Sequence, residues 1–500
     1  MKNILLAAVL STISSLTVAQ NVNIPDPDFK AYLVWNSFIN LNGDTEIQIS
    51  EATAFNGGIN LYGMNIYDLT GIESFTALTS LDCDGNQLTS LDLSQNNALT
   101  YLDCSANQLS SLDLSFNSAL TYLDCSTNQL SSLDLSYNNA LTYLDCHSNQ
   151  LTSLIVNGAI ALTYLDCQFN LLTNLDVSQN SSLTDLWCYN NQLTNLALNG
   201  ATALIRLDCN DNQLSSLDVS QNIELTNLYC GGNQLTSLDV SQNVALTELI
   251  CGNNQLINLD VSQNTALNNL GCYSNLLSSL DVSANFSLTS LACAQNQLTS
   301  LDVSQNSALT NLHCSNNQLT NLDVSQNIAL NQLGCFYNQL TNLDLSSAVA
   351  LTWLICNNNS LISLDLRNGN NFNMDYIVTT NNPDLFCIDV DDSAVSMINW
   401  YYIDPWSSFS TNCSANVTQE TKESYPFSIF PNPTINTINL EADERLIGSI
   451  YSIYDTMGKL ILNGKITSEN TTIDLSEISQ GIYSLRVGVN LEQMVKVVKE

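Results

Sequence analysis

Fourteen cysteines recur at a spacing of 21 residues, from Cys83 through Cys104 and Cys125 to Cys356. Thiols in such numbers suggest disulfides or zinc, and the spacing argues against both. Stacked parallel strands lie about 4.8 Å apart with their side chains aligned, whereas a disulfide prefers a Cβ approach of about 3.8 Å. Zinc sites are built on close pairs such as Cys-x-x-Cys, and the chain has none. The ladder cysteines therefore read as small buried hydrophobes. Cys387 and Cys413 break the period and lie beyond it, and they are the expected disulfide.

Acid–base chemistry finds equally little footing. The only histidines, His147 and His313, stand eight repeats apart, roughly 38 Å along a stack of strands, too far to share a substrate. No Gly-x-Ser-x-Gly, His-Glu-x-x-His or phosphate-binding glycine loop is present. Asp82, Asp103, Asp124, Asp145 and Asp166 recur in one column, which reads as repeat structure and not as a catalytic dyad. Side by side, such carboxylates raise one another's pKa or gather a cation. The expectation is a protein without enzymatic activity and without a cofactor, calcium at one N-terminal loop being the exception. That loop, Asn40 to Glu51, looks like a worn EF-hand, with oxygen ligands at Asn40, Asn42, Asp44 and Glu51. It departs from the motif in having Asn first and Thr45 at the turn position that EF-hands fill with Gly.

The element that must position these residues is the repeat itself, Leu-Thr-x-Leu-Asp-Cys-Ser-x-Asn-Gln-Leu-Thr-Ser-Leu-Asp-Val-Ser-Gln-Asn-x-Ala. The columns starting at Leu78, Leu81, Leu88 and Leu91 are Leu in all fourteen copies, and the column from Asn86 to Asn359 is always Asn. A unit this short cannot bury its own apolar face, so neighbours stack to share one core. Alternation around Leu81 sends Leu81 and Cys83 inward and Ser80, Asp82 and Asp84 outward. The second half of the unit leaves no room for a regular helix and predicts a short strand or extended turn. The motif resembles the leucine-rich repeat family, Leu-x-x-Leu-x-Leu-x-x-Asn-x-Leu, with Cys in the sixth place. That resemblance implies short parallel strands on a concave face, with the Asn side chain bonded to backbone of the adjacent turn.

The predicted fold class is thus mostly β: a leucine-rich repeat solenoid with little helix, followed by a small C-terminal β-sandwich. Residues 1–19 read as a secretory signal peptide, with Lys2, an apolar run from Ile4 to Val18, and small residues before Gln20. No later apolar run reaches the length of a membrane span, so no transmembrane helix is expected. Residues 20–77 are an N-terminal cap in which Phe29, Leu33 and Phe38 have helical spacing. The repeats occupy 78–371, and 372–415 form a C-terminal cap with Trp400, Tyr401, Tyr402 and Trp406. A polar linker follows at 416–424. Residues 425–500 alternate apolar and polar in short runs and carry six of the eleven basic residues. Phe430-Pro431-Asn432-Pro433, Tyr454-Asp455-x-x-Gly458-Lys459, Gly481-Ile482-Tyr483 and Lys496-Val497-Val498-Lys499 resemble the C-terminal sorting domain of the bacterial type IX secretion system. That resemblance implies export to the medium or the outer-membrane surface of a Gram-negative bacterium.

Between Leu78 and Asn371 stand 23 acidic residues and two basic ones, Arg206 and Arg367. Such a field repels phosphate backbones and excludes nucleic acid as a partner. The candidate ligand-binding residues are those that vary on the outward strand positions. They are Tyr101, Tyr122, Tyr143 and Tyr164, the group Trp187, Tyr189, Arg206 and Tyr229, and Trp353. Exposed aromatics on a rigid sheet suit binding, although a tyrosine column can also serve to stack strands. Together with a resemblance to bacterial repeat adhesins of the internalin type, they point to a protein ligand, or alternatively to a glycan.

Overall fold

The computed structural model describes residues 20–394, 396, 400, 402–413, 427–456, 458–487 and 493–500. The expected signal peptide (1–19) and linker (416–424) lie outside the described residues. The chain divides into two compact units, one ending at Leu276 and the other beginning at Leu277.

In the first unit every repeat contributes a three-residue strand centred on Leu, as in Tyr122–Asp124, Tyr143–Asp145 and Asn269–Gly271. Neighbours pair parallel and in register, Tyr122 with Tyr143, Leu123 with Leu144 and Asp124 with Asp145. The second unit repeats the pattern in Ser290–Ala292, Asn311–His313, Gln332–Gly334 and Trp353–Ile355. The central Leu and the following Cys turn inward, and both columns are fully buried in every repeat. The outward residues flanking the central Leu stay at least partly exposed, apart from Asp145, Asp166, Gly271 and Gly334. No described residue from Leu78 to Leu366 is helical. The second half of each repeat is an extended turn, tightening into paired strands at Ser132–Asp134 with Ser153–Ile155, Asn174–Asp176 with Asn195–Ala197, and Asn342–Asp344 with Ser363–Leu366.

Two columns of asparagine hold the turns. Asn107 donates to the carbonyls of Cys83, Cys104 and Ser105, and its Oδ1 accepts from Leu88 N–H, so one amide ties a coil to the one before it. The residue preceding this Asn adopts a left-handed backbone in coil after coil, with φ 53° at Thr127 and 52° at Phe169. A second column, including Asn117, Asn138 and Asn243, is fully buried and donates to two carbonyls of the preceding coil.

The coil continues past the strict period at both ends. Gly58–Asn60 pairs in register with Ser80–Asp82. Downstream, Tyr376–Val378 pairs with Trp353–Ile355, and Cys387–Val390 and Ser408–Ser410 extend the second sheet. Asn382 there repeats the ladder bonds, donating to Thr379 and Cys356 carbonyls and accepting from Leu361 N–H. Cys387 and Cys413 are disulfide-bonded, and Trp400 is buried. Tyr401 lies outside the described residues. At the N-terminus a helix, Pro27–Trp35, capped by the Asp26 side chain, buries Phe29 and Leu33. Phe38 departs from the expected helical face: the helix stops at Asn36, and the turn that follows exposes Phe38 (81% accessible) and buries Ile39.

The tail folds as two antiparallel sheets. One is Phe427–Phe430, Thr437–Ala442 and Asn470–Asp474; the other is Leu460–Lys465, Ile450–Tyr454, Gly481–Val487 and Gln493–Lys499. They enclose a core of Ile438, Leu440, Ile453, Leu485 and Val497.

All fourteen ladder cysteines are buried thiols outside any disulfide. Burial pushes up thiols along the ladder such as those of Cys83 and Cys188, and those of Cys272 and Cys356 to about 12. Since the thiolate is the reactive form, the folded chain is expected to resist iodoacetamide and to gain fourteen alkyl groups once denatured without reductant. Intact-mass measurement showing alkylation of the native protein, or disulfides between neighbouring repeats, would contradict this burial.

Candidate functional site

The outward strand residues form two columns with a third just beyond the Cys. In the first column Tyr101, Tyr122, Tyr143 and Tyr164 stack face to face, with ring centroids 4.5 to 4.6 Å apart and planes within 9°. Each ring covers its neighbour, so only edges and hydroxyls face outward. Burial pushes these phenols up, aided by the carboxylates beside them, Tyr143 to about 12.

Beyond Tyr164 the column changes character. Arg206 donates to Asp185 at 3.0 Å across adjacent strands and stays exposed. Trp187 lies one strand from Asp166 and one from Asp208, half-buried, its indole N–H without an acceptor among the described residues. Tyr189 follows on the same strand end and meets Phe169 edge to face at 5.3 Å. Tyr229 donates to Glu248 at 2.6 Å, and Asn227 and Asn269 donate to the same carboxylate. Trp187, Tyr189, Arg206 and Tyr229 thus occupy three consecutive strands. Trp353 belongs to the second unit and joins a separate aromatic group, stacked on Tyr376 at 6.1 Å and edge-on to His313 at 5.5 Å. Glu248, Asn227 and Tyr376 were not among the sequence candidates. Glu248 and Asn227 carried a signal all the same, since both replace the tyrosine of the same column.

The N-terminal loop brings its four candidate ligands together. Glu51 accepts from Leu41, Asn42 and Gln48 N–H groups, Asn40 Oδ1 accepts from Gly43 N–H, and Asn42 donates to Asp44 and Gln48. These bonds close the loop and cap the helix Ile49–Ala54 from within the chain.

The second column is acidic. Asp103 and Asp124 each accept from the hydroxyl and N–H of the Ser two residues on. Burial pushes Asp208 up to about 6, with Asp211 and Asp166 adding to it against the N–H accepted from Asn210. An unfolded Asp titrates near 3.9, so the folded state holds this proton more tightly. Its contribution to stability is therefore present in acid, is lost as pH rises from about 4 through about 6, and is level above. Partial solvation limits the effect to about 1–3 kcal/mol. Asp208→Asn is expected to reduce the fall in melting temperature across that window, measured in EDTA. Superimposable curves for the two proteins would show that the carboxyl is not held protonated.

Residues 428–500 match the family model described as the secretion system C-terminal sorting domain. The functional domain of InlJ from Listeria monocytogenes, whose structure includes a cysteine ladder, superposes with TM-score 0.61 at 29% identity, covering 96% of this chain and 98% of that one. The array is a leucine-rich repeat, and the tail is a sorting domain. The repeats are also similar to YopM, a leucine-rich effector protein from Yersinia pestis (25% identity, TM-score 0.50, 61% of this chain and 84% of that one). The leucine-rich repeat protein LIC12759 of Leptospira interrogans shares the fold (20% identity, TM-score 0.54, 72% and 97%). No curated protein matches the chain. The sorting domain makes this a secreted or cell-surface bacterial protein, and no helix among the described residues is long and apolar enough to cross a membrane.

Proposed function

We propose that the protein is a non-enzymatic binding module, displayed at the outer-membrane surface of a Gram-negative bacterium, that engages a protein partner in adhesion. The observation that carries this reading is the juxtaposition of Trp187, Tyr189, Arg206 and Tyr229 on consecutive strands of a rigid ladder. Trp, Tyr and Arg dominate the few residues that supply most of the affinity at protein interfaces. A glycan-binding role is the weaker reading. Sugars stack on aromatic faces, and the Tyr101–Tyr164 stack keeps its faces for itself.

The test begins with a binding screen of the chain from residue 20 against host proteins, bacterial proteins and glycans. With the ligand so found, Trp187→Ala combined with Tyr229→Ala is expected to cost about 2 kcal/mol per residue in affinity. Tyr122→Ala combined with Tyr143→Ala is expected to spare affinity and lower stability, since each stacked pair is worth about 0.5–1.5 kcal/mol. A larger affinity loss at the tyrosine pair would move the binding face there. Competition by free sugars would establish the glycan reading instead.

A further inference from the structure

The acidic column changes its chemistry at one place. Asp103 and Asp124 are each satisfied by a serine two residues on, but the next two repeats exchange that serine for His147 and Gln168. Asp145 and Asp166 are directly paired across adjacent strands, and both are largely buried, at 9% and 5% accessibility, the Asp145 side chain at 12%. One ligand atom each from Asp145, His147 and Asp166 lie within 4.8 Å of one another.

Asp145 Oδ1 takes both bonds from His147, from its N–H and, at 2.6 Å, its Nδ1, while Oδ2 has no hydrogen-bond partner among the described residues. Asp166 accepts from Gln168 at both oxygens, from its N–H and its side-chain amide nitrogen, while the Gln168 Oε1 is buried with no partner among the described residues. No lysine or arginine among the described residues compensates the pair of carboxylates. The two basic residues of the repeats are engaged elsewhere, Arg206 with Asp185 and Arg367 with Asp365. Burying two carboxylates beside a single imidazole is costly, and a cation lowers that cost.

We propose that Asp145, His147 and Asp166 form a binding site for a divalent transition-type cation. Two carboxylates and an imidazole are a ligand set for zinc, whereas calcium prefers oxygen alone. Tetrahedral zinc at bonds of about 2.0–2.1 Å places its ligand atoms roughly 3.4 Å apart, so binding draws the three side chains together by small rotations. Three protein ligands leave a coordination position to water. To share one ion with Asp145, the imidazole gives up the bond from Nδ1 to Asp145 and offers a nitrogen to the ion in its place.

The chain has only two histidines, which makes the test direct. Full-length protein labelled with 15N-histidine is titrated with zinc, the probe, and both imidazoles are followed by NMR. The His147 signals are expected to shift at one equivalent, with His313 unmoved as internal control. Asp166→Asn is expected to weaken binding by about tenfold or more, as even second-shell losses do, while Asp103→Asn leaves it unchanged. Melting curves in chelator verify that each variant folds. Cobalt substitution is expected to give the weak visible bands of oxygen and nitrogen ligation without a thiolate charge-transfer band. Any of three results overturns the site: a His147 signal that follows pH and ignores zinc, which makes it a plain ion pair; equal loss on Asp103→Asn, which makes the column a diffuse counter-ion field; or a thiolate band.

Discussion

Replacing Asn233 by alanine is expected to cost about 3–5 kcal/mol, while the same change at Asn243, ten residues on, costs about 1–2. Asn233 donates to the carbonyls of Cys209, Cys230 and Gly231 and accepts from Leu214 N–H, four bonds of 2.9 to 3.2 Å in a buried setting. Alanine orphans the Leu214 N–H inside the coil, which costs about 1–3 kcal/mol, and it takes one of two amide donors from each of the Cys209 and Cys230 carbonyls, which Asn212 and Asn254 still serve. Asn243 is also fully buried, but its amide donates only to Val219 and Asn222, and its Oδ1 has no partner. Truncation there removes an unsatisfied acceptor along with two bonds. Ala159, Ala201 and Ala348 already stand at that place in other repeats, fully buried. The measurement is the urea midpoint of each variant. Equal shifts would mean that the two ladders carry the coil alike, and that the hydrogen-bond count is the wrong guide.

That contrast also marks where the sequence stops being readable. The 21-residue period predicted the strands, the buried Leu and Cys columns and the first Asn ladder because stacking repeats one environment fourteen times, so a column of identical residues is already a statement about contacts. The second ladder was hidden because Asn beside Ser and Gln looks like an ordinary turn. Thr127 and Phe169 give no sign of a left-handed backbone, since that conformation is imposed by the Asn bonds of the neighbouring coil and not by residue type. The coils at Asn382 and Ser408 escaped because their spacing drifts while the bonds persist. Phe38 was misplaced because spacing alone does not say where a helix ends. At the candidate site the residue types were legible, but their partners were not. Tyr229 finds Glu248 nineteen positions away, and His147 turns to Asp145, choices made by rotamers across strands.

Removing residues 425–500 is expected to abolish surface display entirely and to leave the urea midpoint of the repeats in place. The tail is a complete fold by itself. Among the described residues its seven strands pair only with one another, and its core cluster draws no residue from the repeats. The Pro431-Asn432-Pro433 segment is fastened to the last strand, Asn432 donating to the Lys496 carbonyl and accepting from Val498 N–H, and Thr434 N–H donates to the Val498 carbonyl. Truncation therefore cuts no sheet of the array and exposes none of its Leu or Cys columns. What it removes is the sorting domain, along with six of the eleven basic residues of a chain whose repeats carry almost none. In a cell with a type IX system the shortened protein should accumulate in the periplasm, folded, with its ladder thiols still protected from alkylation. That last readout separates failed export from failed folding, because an unfolded array would expose all fourteen thiols. A truncated chain found on the cell surface would show that the export signal lies in the repeats or their caps and that the tail serves some other purpose.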